Sequence, residues 1–302
     1  MNEALLYETL FSLSSSNEPA AWQQFCTLAG ICDVSQDLEQ IVSEVSRLTQ
    51  KPIYEINDTY LRIKHCFSSY PFSYDILSWK DALFPSSLNG IHFLYTYGDL
   101  SLLEAESVTL LGQRSPSQEA KQDAVNIVSE LSRLGACMMS TLDTGLDAYC
   151  VLYAYNQRIR TVIPLASPLH QCMPESQKEL MESVANSGLA LLVSPFSPAA
   201  KAQKWFTVPR NDLLVALTRN LIILDEKDGG PVWKLAGRIR ANNARIMVCE
   251  NCISREDGNY ARAFMQSGSA SSYRKKGDVA AFLGLRKKRV HSTKTGTQLE
   301  LF

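Results

Sequence analysis

Histidine is scarce in this chain of 302 residues: only His65, His92, His170 and His291 are present. Histidine is the usual proton carrier and metal ligand near neutral pH, so little base or metal chemistry is on offer. Cysteine is not rare, but it is unpaired. Eight cysteines are scattered singly except Cys249 and Cys252, which have no second pair and no histidines at ligand spacing. That argues against zinc or redox chemistry and suggests small buried hydrophobes. No metal and no cofactor are expected. No apolar run is long enough to cross a bilayer, and Met1-Asn2-Glu3-Ala4 lacks the basic lead of a secretory signal, so a soluble cytoplasmic protein is expected. Net charge is nearly absent too, at −1, which argues against indiscriminate nucleic-acid binding.

What is present is enough apolar residue, 45%, to build a substantial core. The length suits one α/β domain with a smaller unit attached. Charge is unevenly placed: beyond Ser254 stand ten Lys/Arg against four Asp/Glu. The basic tail is either a solvated segment or a nucleic-acid contact.

Residues 1–67 read as a helical accessory domain. Leu5, Leu6, Leu10 and Phe11 mark one helix, and Leu38, Ile41, Val42, Val45 and Leu48 repeat as a second helix face. A looser stretch with Pro71, Pro85 and Gly90 follows, holding a short strand at residues 91–95. From Val108 the chain alternates between apolar strands (108–111, 137–139, 161–165, 189–193, 221–224, 245–248) and amphipathic helices. Such alternation gives parallel strands buried on both faces. The fold class expected is α/β: a doubly wound, mainly parallel Rossmann-like sheet over residues 68–252, with the N-terminal helical domain before it. A short extension over 253–289 and a flexible tail over 290–302 complete the division.

In such sheets ligands bind outside the carboxyl ends of the strands. After the first strand come Gly112, Gln113 and Arg114. Ser115-Pro116-Ser117-Gln118 then reads as a capping box, with Ser115 as N-cap and Gln118 reaching back. A helix start beside a cation is a place for a phosphate. After the second strand come Ser140, Thr141, Asp143, Gly145 and Asp147, with Gly145 free to take unusual backbone angles and Asp147 suited to cap the next helix. A long loop carries Lys201, Lys204, Trp205, Phe206, Arg210 and Asn211, and the fifth strand leads to Lys227 and Gly229. Glycines, hydroxyls and cations converge on one rim. No histidine lies in these turns and no nucleophile has a base, so no catalytic residue is assigned. Trp205 and Phe206 offer base stacking; the alternative for Phe206 is packing against the sheet.

These segments resemble the DNA-processing DprA/Smf family, within the wider Rossmann-like group that includes the LOG phosphoribohydrolases. Gly112-Gln113-Arg114 is similar to its Gly-Ser-Arg, and 140–147 resembles its Ser-Gly-Leu-Ala-x-Gly-Ile-Asp. Residues 210–218 resemble its Arg-Asn-Arg-Ile-Ile-Ala-Gly-Leu-Ser, and 227–229 its Lys-Ser-Gly. The resemblance spans about residues 70–250. It implies single-stranded DNA binding, loading of a RecA-type recombinase and a homodimer. Three positions depart by adding carboxylates: Asp143, Asp212 and Asp228 each oppose an anion at the rim. The C-terminal winged-helix domain frequent in the family is not expected here.

The last residues, Gln298-Leu299-Glu300-Leu301-Phe302, resemble the pentapeptide by which bacterial DNA polymerases and repair proteins hold the sliding clamp. Gln298 suits a small polar pocket, and Leu299, Leu301 and Phe302 are apolar anchors for a groove. The leading expectation is therefore a non-catalytic single-stranded DNA-binding protein recruited to the sliding clamp. Two alternatives stand beside it: a sensor of free nucleotide, and a LOG-like hydrolase of nucleotide N-glycosidic bonds. Against the hydrolase, Gly229-Gly230 runs into Pro231-Val232-Trp233 instead of the Pro-Gly-Gly-x-Gly-Thr segment, although Glu226 or Asp143 could supply a carboxylate.

Overall fold

The computed structural model describes residues 3–35, 38–268 and 270–285. Four helices come first: α1 Glu3–Leu13, α2 Glu18–Ile31, α3 Leu38–Thr49 and α4 Ile53–Ser68. Strands β1 Asp75–Ser78 and β2 Phe93–Gly98 follow. The alternating region then runs β3 Ser107–Gly112, α5 Gln118–Leu134, β4 Cys137–Met139, α6 Leu146–Asn156, β5 Thr161–Pro164, α7 Lys178–Ala185 and β6 Ala190–Ser194. It continues through α8 Thr207–Leu217, β7 Asn220–Asp225, α9 Pro231–Ala241, β8 Arg245–Cys249, α10 Glu250–Ser254, α11 Asn259–Gln266, β9 Ser271–Tyr273 and α12 Asp278–Phe282.

The nine strands among the described residues join one sheet in the order β1-β2-β6-β5-β4-β3-β7-β8-β9. The seven strands from β6 to β9 are parallel, while β1–β2 and β2–β6 pair antiparallel. Alternate residues of each strand feed opposite cores. Val108, Leu110, Ile222, Leu224 and Met247 face one layer; Leu111, Leu221, Ile223, Ile246 and Val248 face the other. α5 and α6 cover the first layer, and α8 and α9 cover the second. Ile127, Val128 and Leu131 of α5 are fully buried, each contributing ~2 kcal/mol on an area basis. Gly135, at φ +68°, ends α5 in the left-handed turn that a glycine allows. The fold is the doubly wound, mainly parallel α/β sheet that the strand–helix alternation predicts.

The N-terminal helices share the first core layer. Leu6, Leu10, Phe25 and Ile56 belong to the same buried cluster as Phe93 and Tyr95 of β2. Trp22 stacks on His92 at 3.5 Å and meets Trp79 edge-on at 4.8 Å. Glu18 accepts from His92 Nε2 at 2.7 Å, and Lys80 pairs with Glu3 at 2.8 Å.

Several local expectations change. The cap of α5 is Ser117, not Ser115: its side chain accepts from the Ala120 amide, so Gln118 opens the helix instead of closing a capping box. The strand expected over 91–95 forms over 93–98, where β6 and β1 supply partners. α8 begins at Thr207, so Arg210 and Asn211 stand in the helix instead of in the long loop. The sheet also continues past residue 252: β9 pairs in parallel with β8, and Val279 and Leu283 pack into the first layer. Among the described residues no helix is long and apolar enough to cross a membrane. Cys249 and Cys252 are buried, and burial pushes the Cys252 thiol up to about 12.

Candidate nucleic-acid interface

β3 has β4 on one side and β7 on the other, so the chain winds away from this point in both directions. The crevice outside the carboxyl ends of β3 and β7 is the switch point of the sheet. Two carboxylates organise it.

The first is Asp147, in the opening turn of α6. Its Oδ1 accepts from the Gly112 amide at 2.9 Å and its Oδ2 from Thr141 Oγ1 at 2.7 Å. It does not cap its own helix, as the sequence suggested; it ties the β3 turn to the β4 turn. Gly145 precedes α6 at φ +110° and ψ −135°, and a Cβ there would lie 2.5 Å from Arg114 Cα. Only glycine permits that approach. Gly112 is similarly crowded, because a Cβ would lie 2.4 Å from the Leu146 side chain. Ser140 Oγ donates to the Leu110 carbonyl at 2.8 Å. Ser140, Thr141 and Asp147 are thus buried structural ties between turns. Burial, with Asp143 close by, pushes the Asp147 carboxyl up to about 7; Thr141, the Gly112 amide and Arg210 pull the other way.

Arg210 joins this group from α8. It is 4% exposed, donates from Nη2 to Asp143 Oδ2 at 2.8 Å, and reaches Asn211 Oδ1 from Nε at 2.9 Å. A cation expected at the surface is instead buried in an ion pair.

The second organiser is Asp225, buried at the end of β7. Its Oδ2 accepts from Gln113 Nε2 at 2.7 Å and from the Ser117 amide at 3.3 Å, and its Oδ1 accepts from Arg255 Nη1 at 3.0 Å. The expected position for a phosphate, at the start of α5, carries the protein's own carboxylate. Neither Asp225 nor Arg255 was singled out from sequence. The available signal was an aspartate ending a strand and the cationic excess after Ser254.

Glu226, next in the chain, accepts from the amides of Lys227 at 3.0 Å and Val232 at 3.1 Å, fixing the start of α9. A Cβ on Gly230 would lie 2.2 Å from Glu226 Oε1, so this clasp needs a glycine. Gly229 sits at φ +68°, and Lys227 is exposed between these two fixed points.

The three additional aspartates are all engaged internally. Asp143 holds Arg210, Asp212 pairs with Arg238, and Asp228 accepts from the Tyr260 amide at 2.7 Å and Asn259 Nδ2 at 3.1 Å. The exposed cations Arg114, Lys201, Lys204 and Lys227 have no ion-pair partner among the described residues. Lys204 lies on the short turn Lys204–Phe206 before α8. Trp205 is 56% exposed, whereas Phe206 is buried and stacks on Phe196 at 3.7 Å. Of the two aromatics only Trp205 offers a free face. Gln298, Leu299, Leu301 and Phe302 lie outside the described residues.

The family model for DNA recombination-mediator protein A matches residues 75–284. The chain belongs to that family. The DNA processing protein DprA of Bacillus subtilis (strain 168) is 26% identical over 136 residues, 45% of each chain. The chain spans about half the length of the curated relatives it matches. The solved DprA from Streptococcus pneumoniae superposes with a TM-score of 0.69 at 18% identity, covering 93% of this chain and 98% of that one. DprA from Helicobacter pylori, described for its single-stranded DNA binding mode, superposes at 0.61 with 21% identity, covering 70% and 96%. These likenesses place the fold of this recombination-mediator family member; the site is argued from its own residues.

Proposed function

We propose that this chain binds single-stranded DNA along the switch-point rim and acts as a recombination mediator. One observation carries the reading. The carboxylates that oppose an anion at the rim are consumed in internal contacts, while Arg114 and Lys227 flank the crevice exposed and, among the described residues, without an ion-pair partner. Arg114 and Lys227 then hold phosphates, Lys204 extends the track, and Trp205 stacks a base. Gln113, Ser140, Thr141, Asp147, Arg210 and Asn211 hold the turns in shape, and Gly112, Gly145 and Gly229 let the backbone close up. Glu226 is spent on the start of α9 and Asp143 on Arg210, which favours a binding role over hydrolysis. The Gln298–Phe302 peptide recruits the protein to the sliding clamp, and a RecA-type recombinase takes over the bound strand.

The test is fluorescence anisotropy of labelled single-stranded DNA at several salt concentrations. Arg114→Glu and Lys227→Glu, both on the surface, each weaken binding and reduce the salt slope by ~0.7 or more. Unchanged affinity and slope in both variants would overturn the reading. Arg210 is unsuitable for this test, because reversing a buried paired charge perturbs the fold itself.

A further inference from the structure

A cavity of about 700 Å³ opens between α1, α4, β2 and the loop over 195–206. That volume is typical of small-molecule sites. Neither Arg114 nor Lys227 lines it. Its walls are aromatic: Phe93, Phe196 and Phe206, with Trp205 set edge-on to Phe206 at 4.7 Å and exposed at the mouth.

Polar groups are few. Tyr95 is 1% exposed, and its hydroxyl is buried with no hydrogen-bond partner among the described residues. A buried hydroxyl left unpaired is costly, so one that lines a cavity points to a missing partner. Glu8 lies nearby on α1. Burial pushes its carboxyl up to about 7, with the Ser197 hydroxyl pulling it down, so near neutrality it offers both a donor and an acceptor. Two further charged groups are already occupied: Glu18 holds His92, and Arg62 donates to Ser12 Oγ at 2.9 Å while staying exposed. Lys201, also at the mouth, is exposed and has no ion-pair partner among the described residues.

An apolar slot with a polar floor and a cationic mouth fits a flat nitrogen heterocycle that carries an anionic arm. We propose that this cavity binds a nucleobase, with Tyr95 and Glu8 on the ring edge, Trp205 over its face, and Lys201 on the phosphate. The base comes either from a free nucleotide or from one nucleotide of a DNA strand; the chemistry of recognition is the same.

Isothermal titration calorimetry of the whole chain tests this, with dAMP, dGMP, dCMP and dTMP as one set of probes and a ~12-nucleotide single strand as the other. Tyr95→Phe removes an atom that no protein group uses, so the fold is kept. It should weaken binding about fivefold, and Glu8→Gln should also weaken it. Lys201→Ala should weaken the monophosphate but leave the nucleoside unchanged. Dependence on Tyr95 for a mononucleotide identifies a free ligand; dependence for the oligonucleotide alone identifies a DNA base. No binding of either probe, or binding indifferent to both Tyr95→Phe and Glu8→Gln, overturns the proposal. Oligonucleotide binding lost in Arg114→Glu and untouched in Tyr95→Phe would remove this inference and leave the rim reading standing.

Discussion

Asp147 makes a titration of folding stability the sharpest test of the turn network. The carboxyl is 6% exposed and pushed up to about 7, from an ordinary value of 3.8. Its native pKa lies above its unfolded one, so the native state holds this proton more tightly. The favourable situation therefore exists at low pH, and the contribution is lost as pH rises from about 4 through 7. Three units correspond to ~4 kcal/mol at full charge, of which ~2–3 kcal/mol is lost between pH 5 and pH 8. Asp147→Asn keeps an oxygen for the Gly112 amide and can turn its amide toward Thr141, but it cannot ionise. Urea unfolding of both proteins at pH 5, 6, 7 and 8 should show the Asn variant gaining on the parent by ~2–3 kcal/mol across that range. Glu8 titrates in the same window in both proteins, so it cancels in the difference. Parallel stability curves would refute the argument that burial governs this carboxyl.

Three more outcomes follow from named contacts. Gly145→Ala drives a methyl toward Arg114 Cα at a φ of +110°, and should cost ~3 kcal/mol or more in chemical denaturation. Arg255→Met leaves the buried Asp225 with Gln113 and the Ser117 amide alone. It should cost ~2 kcal/mol in chemical denaturation, below the usual cost for a buried pair because Arg255 is partly exposed. Deletion of residues 298–302 should abolish binding to purified sliding clamp in surface plasmon resonance and leave DNA affinity unchanged; an undiminished clamp complex would retire the recruitment idea.

The parallel sheet was legible because its strands are short runs of Val, Ile, Leu and Met between amphipathic helices, a pattern that only burial on both faces explains. β1 and β9 were not legible. Asp75-Ile76-Leu77-Ser78 and Ser271-Ser272-Tyr273 carry too little apolar residue, and they become strands because a neighbour offers hydrogen bonds. Ser115 and Ser117 look alike in sequence, and only the reach of a hydroxyl to the Ala120 amide separates them. The turns that carry the rim were found by position, but their charge state was not. Arg210 reads as a surface cation until Asp143, 67 residues away, is seen to pair with it. The Asp225–Arg255 pair likewise joins positions 30 residues apart, and local sequence does not connect them.

The two edges of the sheet have a consequence for assembly. β1 offers four residues and β9 three, and such short stretches present few free amides and carbonyls in a row. A second chain finds little to extend by strand addition. Self-association of this molecule, in a dimer or in an aggregate, is therefore directed to the side chains of its helical faces, where single substitutions can tune it without disturbing the sheet.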